Sequence, residues 1–115
     1  AIASSSYYSI INAVTKKLGI GHYFKIIHSA EEEQYGKPHP SIFLSAAQKM
    51  GVKPTECLVF EDSFHGIIAS LAAKMKVVAI PDKMHKNSAK FEIATVKLGS
   101  LLEFDAQCLS HLVHA

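Results

Sequence analysis

Leu58-Val59-Phe60-Glu61-Asp62-Ser63 is an apolar run that ends abruptly in two acids and a hydroxyl. A helix-period stretch follows over 66–73, and then a second apolar run, Val77-Val78-Ala79-Ile80. Both runs are continuous rather than alternating, and β-branched residues are common in them. Strands covered on both faces read this way, because neither face can be polar. A strand, a nearly all-apolar helix and a second strand make one right-handed crossover of a parallel sheet.

The same alternation extends toward the start of the chain. Ile2-Ala3 and Lys25-Ile26-Ile27 are two further short apolar runs. Between them Ile10, Ile11, Ala13, Val14 and Leu18 share one helical face, and Gly19 supplies the stop. Ile42, Phe43, Ala46, Ala47 and Met50 repeat that pattern, with Pro40 and Ser41 at the start and Gly51 at the end. The order β-α-β-α-β-α-β predicts an α/β fold, a parallel sheet with helices on both faces. Beyond Pro81-Asp82 the pattern weakens. Residues 83–90 read as a polar loop, 92–98 as one more short strand, and Ser100-Leu101-Leu102-Glu103 as the start of a last helix. The 115 residues suit one domain and no repeat is visible.

Composition excludes several classes. The chain is 49% hydrophobic and 19% charged, which rules out a disordered or low-complexity segment. All 12 basic residues are lysines, and they are spread along the chain, giving a net charge of +2; nothing calls for a nucleic acid or a membrane surface. Two cysteines, Cys57 and Cys108, make no disulfide framework and suit a reducing cytoplasm. Of the 7 histidines, only His111 and His114 are closely spaced, which makes zinc a poor reading. Phosphate-binding loops of the Gly-x-x-x-x-Gly-Lys-Ser/Thr type and Gly-x-Gly-x-x-Gly turns do not occur. The chain opens Ala1-Ile2-Ala3-Ser4-Ser5-Ser6, with neither Met nor a charged leader, and reads as part of a longer protein.

In an open parallel sheet, ligands bind beyond the carboxyl ends of the strands. The first strand delivers Ser4-Ser5-Ser6 to that edge, the second leads into Gly36-Lys37-Pro38-His39-Pro40, and the third delivers Glu61-Asp62-Ser63. Hydroxyls and the N–H groups of a helix start bind phosphate oxygens, and a lysine adds a point charge on the same anion. An acid pair offers oxygen ligands to Mg²⁺, which keeps waters and takes one or two protein carboxylates. Each group also has a plainer use. The serines and Asp62-Ser63 could cap helices, and Lys37 could be an ordinary surface lysine. Glu61, beside the core with no evident partner, is the hardest to explain so. Their joint occurrence after successive strands favours phosphoryl chemistry.

These stretches resemble the haloacid dehalogenase superfamily, in its β-phosphoglucomutase-like branch. The resemblance rests on Ala3-Ser4-Ser5-Ser6, on Gly36-Lys37-Pro38-His39-Pro40 with Phe43-Leu44, and on Val59-Phe60-Glu61-Asp62-Ser63 followed by Gly66. Gly66-Ile67-Ile68-Ala69-Ser70 and Val96-Lys97-Leu98 with Ser100-Leu101 are closest to the 2-deoxyglucose-6-phosphate and hexitol phosphate phosphatases. It implies a Rossmann-like three-layer α/β/α core spanning 1–115. By resemblance, the Ser4 hydroxyl and the Ser5 N–H bind the transferring phosphoryl group, and Lys37 stabilises phosphate and nucleophile. Glu61 and Asp62 place Mg²⁺, with Asp62 the direct ligand, while Ser63 and Gly66 shape the turn. The implied activity is hydrolysis of a small sugar or polyol phosphate through an aspartyl-phosphate. Mutase chemistry on the same core and a non-catalytic phosphate-binding module are the alternatives.

The departures shape the expectations. The family's first motif, a strand ending in Asp-x-Asp that supplies the nucleophile, has no counterpart here, and neither has the cap domain. The fold is therefore expected to be incomplete, missing its central first strand. The chain alone is expected to be inactive and poorly stable, needing the N-terminal segment, because two strands lose their shared neighbour. Ser41 stands where the family often has Asp, and should still cap its helix. Lys74 stands where the family usually has Gly; a left-handed backbone there would cost Lys about 1 kcal/mol.

Overall fold

The computed structural model describes residues 1–114. Among the described residues, five strands, each paired in parallel, and four α-helices follow in chain order. They are β1 (Ile2–Ser4), α1 (Tyr8–Leu18), β2 (Ile27–Ser29), α2 (Ser41–Met50) and β3 (Leu58–Glu61). Then come α3 (Phe64–Ala72), β4 (Lys76–Ala79), β5 (Val96–Lys97) and α4 (Ala106–His114). The α/β order expected from the runs is the order observed.

The strands make two sheets. β1 pairs with β2, Ser4 opposite Ser29, and β3-β4-β5 form the other, Glu61 opposite Ala79. Among the described residues, β1 and β3 each carry a strand on one edge only. Between their open edges runs a groove of about 600 Å³, walled by Ile2 and Ala3 on one side and by Leu58, Val59 and Phe60 on the other. Phe43, Ala46, Met50 and Met75 also line it.

Helices join the halves. Ile42, Phe43 and Ala47 of α2 pack with Ala69, Ala73 and Met75, and both Ala3 of β1 and Val59 of β3 lie against this cluster. A second cluster, Ile67, Val77, Ala79 and Phe91, seats α3 on β4. Burying such side chains gives about 1.5–3 kcal/mol each, which is why α3 is apolar nearly all round. By contrast Ile10, Val14 and Leu18 on α1 stay about half exposed or more, at 50%, 49% and 63%. No helix among the described residues is long and apolar enough to cross a membrane.

Local expectations fare unevenly. Gly19 and Gly51 end α1 and α2 with φ of 66° and 71°, and Lys74 does adopt a left-handed φ of 66°. β2 lies two residues later than its apolar run, because His28 and Ser29 are buried through partners rather than through hydrophobicity. Ser41 does not cap α2: its Oγ donates to the Tyr35 carbonyl, and the ring Nδ1 of His39 accepts the Ser41 N–H instead. The last helix begins at Ala106, after a single 3₁₀ turn over Leu101–Glu103.

Candidate active site

Ser4 and Ser5, Lys37, and Glu61 and Asp62 come from three separate segments of the chain. The centre of their arrangement is Lys37. Its Nζ lies 2.5 Å from Glu61 Oε1 and 3.3 Å from the carbonyl of Ala3, so one ammonium bridges the carboxyl ends of β1 and β3. The loop over 36–40 delivers it there, with a turn closed by the His39 N–H on the Gly36 carbonyl and a cis Lys37–Pro38 peptide. The ammonium sits over the Phe43 ring, with Nζ 4.8 Å from the ring centroid. Both partners are nearly buried, with 11% and 8% of their side chains exposed. In such surroundings an unpaired charge is costly, and this is the partner that Glu61 lacked on paper.

Glu61 has no free oxygen. Oε1 takes Lys37, while Oε2 accepts both the Ser63 N–H (3.1 Å) and the Ser63 hydroxyl (3.0 Å). Ser63 Oγ in turn accepts the Gly66 N–H at 3.1 Å and caps α3. The plain capping role therefore belongs to Ser63 and leaves Asp62 exposed. Gly66 has a steric cause as well: a methyl at that position would overlap the Glu61 carboxylate.

Beyond the ion pair opens a cleft of about 520 Å³, lined by Ser5, Lys37, Asp62, Ser63, Phe64, His65, Asp82, His85, Lys90 and Phe91. Ser5, Lys37 and Asp62 thus share one cavity although they come from three separate segments. Ser4 does not line this cleft; it lines a smaller, separate cavity with Ser6 and Ile11. Its Oγ accepts the Ser6 N–H at 3.1 Å, which leaves its own proton to donate. None of the three serines caps α1, whose cap position is Tyr7 with no side-chain acceptor.

The far wall escaped the sequence reading. Asp82, directly beyond β4, accepts the His85 N–H (3.0 Å) and pairs with His85 Nδ1 (2.8 Å). His85 holds the Asp82 carboxyl below the usual carboxylate range. The strand-end rule, read over the first three strands only, stops short of Asp82; extended to β4 it reaches this residue, three positions past Ala79. Cys57, just before β3, is partly buried against the core, and burial pushes its thiol up.

Metal ligation by the chain alone is limited. No group of three or more His, Cys, Asp or Glu side chains able to hold an ion occurs among the described residues. Asp62 offers an exposed carboxylate on the cleft that also holds Lys37, which fits a hard cation taking one protein carboxylate with waters and phosphate. Glu61, with both oxygens engaged, fits a direct ligand less well than an anchor for Lys37.

Comparison with known proteins agrees in family and fold. The family model described as a haloacid dehalogenase-like hydrolase matches residues 1–74. Hexitol phosphatase B of Escherichia coli (strain K12) is 39% identical over 108 residues, covering 94% of the chain and 49% of that protein. A fructose-1-phosphate phosphatase of the same organism is 42% identical over 80 residues, 70% of the chain and 43% of that protein. The crystal structure of a HAD hydrolase, family IA, variant 3, from Entamoeba histolytica superposes with a TM-score of 0.84 at 26% identity, covering 97% of the chain and 52% of that structure. The chain spans about half the length of the curated relatives it matches.

Proposed function

We propose, for a chain that belongs to the haloacid dehalogenase-like hydrolases, that it forms the phosphate- and metal-holding part of a phosphatase acting on a small sugar or polyol monophosphate. The observation that carries this reading is the single lysine bridging Ala3 of β1 and Glu61 of β3 at the mouth of a cleft shared with Ser5 and Asp62. Lys37 is anchored by Glu61 and faces any anion entering the cleft. The Ser4 proton and the Ser5 N–H supply donors from the other side. Fixed donors aimed at a transferring phosphoryl group are the main source of rate in such reactions, since they need no reorganisation.

The nucleophile is an aspartate outside these 115 residues, carried by a strand that fills the groove between β1 and β3. Its carboxylate oxygen bonds to phosphorus as the bond from phosphorus to the sugar oxygen breaks, and that oxygen takes a proton from the second acid of the same Asp-x-Asp motif. Water then attacks phosphorus, gives its proton back to that acid, releases phosphate and restores the aspartate. Asp62 would hold Mg²⁺, which when bound offsets charge on the phosphate oxygens. Relatives named as hexitol and fructose-1-phosphate phosphatases support a polyol or sugar phosphate as substrate. The two free cysteines, Cys57 and Cys108, fit a cytoplasmic protein.

The test is release of inorganic phosphate from hexitol and hexose monophosphates by the whole protein. Lys37→Ala should lower kcat/KM at least about 100-fold, the scale of losing one preorganised charge. Near-normal turnover in that variant rejects the assignment.

A further inference from the structure

We infer that Ser29 and Glu31 are positioning residues that set the geometry of the phosphate loop at residues 4–6. The inference rests on the reading of Ser4 and Ser5 given above. That loop cannot fix itself: Tyr7 offers α1 no cap, and the one internal tie is the Ser6 N–H on Ser4 Oγ. The remaining ties come from the end of β2. Parallel pairing sets Ser29 opposite Ser4. Ser29 Oγ donates to the Ser6 carbonyl at 2.6 Å and accepts the Glu31 N–H at 3.1 Å. Glu31 Oε1 then accepts the Tyr8 N–H, the first of α1, at 2.8 Å.

The backbone of Ser6 is therefore held on both of its flanking peptides, its N–H by Ser4 and its carbonyl by Ser29. Ser29 is wholly buried, and its proton is committed to the loop. Without it the Ser6 carbonyl loses its partner, and the turn that aims the Ser4 hydroxyl and the Ser5 N–H is free to rotate. Glu31 does the same from the helix side, placing a carboxylate where the first turn of α1 has a bare N–H. Neither residue lines the cleft that holds Lys37 and Asp62, so each acts through the loop.

The experiment is a double-mutant cycle in the whole protein, with p-nitrophenyl phosphate as substrate and inorganic phosphate as competitive inhibitor. Ser29→Ala should lower kcat/KM by about 10- to 100-fold and weaken phosphate inhibition in parallel, as displaced positioning groups do. In a Ser4→Ala background the same change should cost no more than about twofold, since the groups act as a unit. Glu31→Gln, which keeps the acceptor, should recover most of what Glu31→Ala loses. This exposed pair carries the test if Ser29→Ala does not fold. A purely structural role would lower the melting temperature while the losses from Ser4 and Ser29 multiplied; that result, or full activity of Ser29→Ala and Glu31→Ala, overturns the inference. Full activity of Ser4→Ala would instead overturn the phosphate-loop reading, and the inference with it.

Discussion

Gly66→Ala should destabilise the protein, although the same change in most helices stabilises it. Gly66 is buried in the first turn of α3. Replacing glycine by alanine inside a helix ordinarily gains about 1 kcal/mol through backbone entropy. Here the added methyl would overlap the Glu61 carboxylate, which is held by Lys37 on one oxygen and Ser63 on the other. Overpacking of this kind costs about 1–3 kcal/mol, and complete rupture of a nearly buried ion pair about 3–5 kcal/mol. Partial displacement of Glu61 falls between these, so the net expectation is a loss of about 2 kcal/mol after the helix gain. Urea unfolding of the whole protein measures it, read beside kcat/KM, which should fall because Lys37 loses its anchor. Glu61→Asp in the same chain, with a shorter side chain, should return part of the stability. A Gly66→Ala protein that unfolds at equal or higher urea would refute the claim that this glycine makes room for the Lys37–Glu61 pair.

Other perturbations test separate parts of the structure. Lys74→Gly should stabilise by about 1 kcal/mol, since φ at Lys74 is 66°; denaturant midpoints check it, and no gain would show that the lysine is unstrained. Glu33 tests pH dependence. Burial pushes its carboxyl up, but hydrogen bonds from Ser45 and His28 outweigh this and hold it below the ordinary glutamate range. A depressed folded-state value adds stability that is present above the unfolded-state value and lost as pH falls through the folded one. Thermal melts should therefore decline through that acidic window, and Glu33→Gln should flatten the decline; parallel curves would remove Glu33 from the account.

What the sequence made legible follows from which forces leave a pattern. Helices α1, α2 and α3 were readable because their apolar faces encode them directly, with a terminal glycine closing α1 and α2. The strand ends were readable because Ser4 and Asp62 each follow an apolar run closely, and Lys37 sits in the loop into which the second run leads. β2 was misplaced by two residues because His28 and Ser29 are buried by hydrogen bonding to Glu33 and Ser6, and periodicity registers only hydrophobicity. For the same reason Ser29 and Glu31 went unnoticed. Ser41 misled because a serine at a helix start usually caps it, whereas here Pro40 holds the cap position and the Ser41 hydroxyl donates to the Tyr35 carbonyl. The Asp82–His85 pair stayed hidden in a polar stretch that only the folded cleft gives a direction. The division into two sheets agrees with the expected loss of a shared neighbour between β1 and β3.

Turnover of p-nitrophenyl phosphate by the whole protein, followed as Mg²⁺ is raised from zero in the unsubstituted and Asp62→Asn forms, addresses the phosphate-and-cation site most directly. The account predicts no turnover in chelator and a half-maximal Mg²⁺ concentration at least about tenfold higher in Asp62→Asn, as expected when a carboxylate ligand is lost. Turnover that survives chelation, or superimposable Mg²⁺ curves for the two proteins, would contradict it.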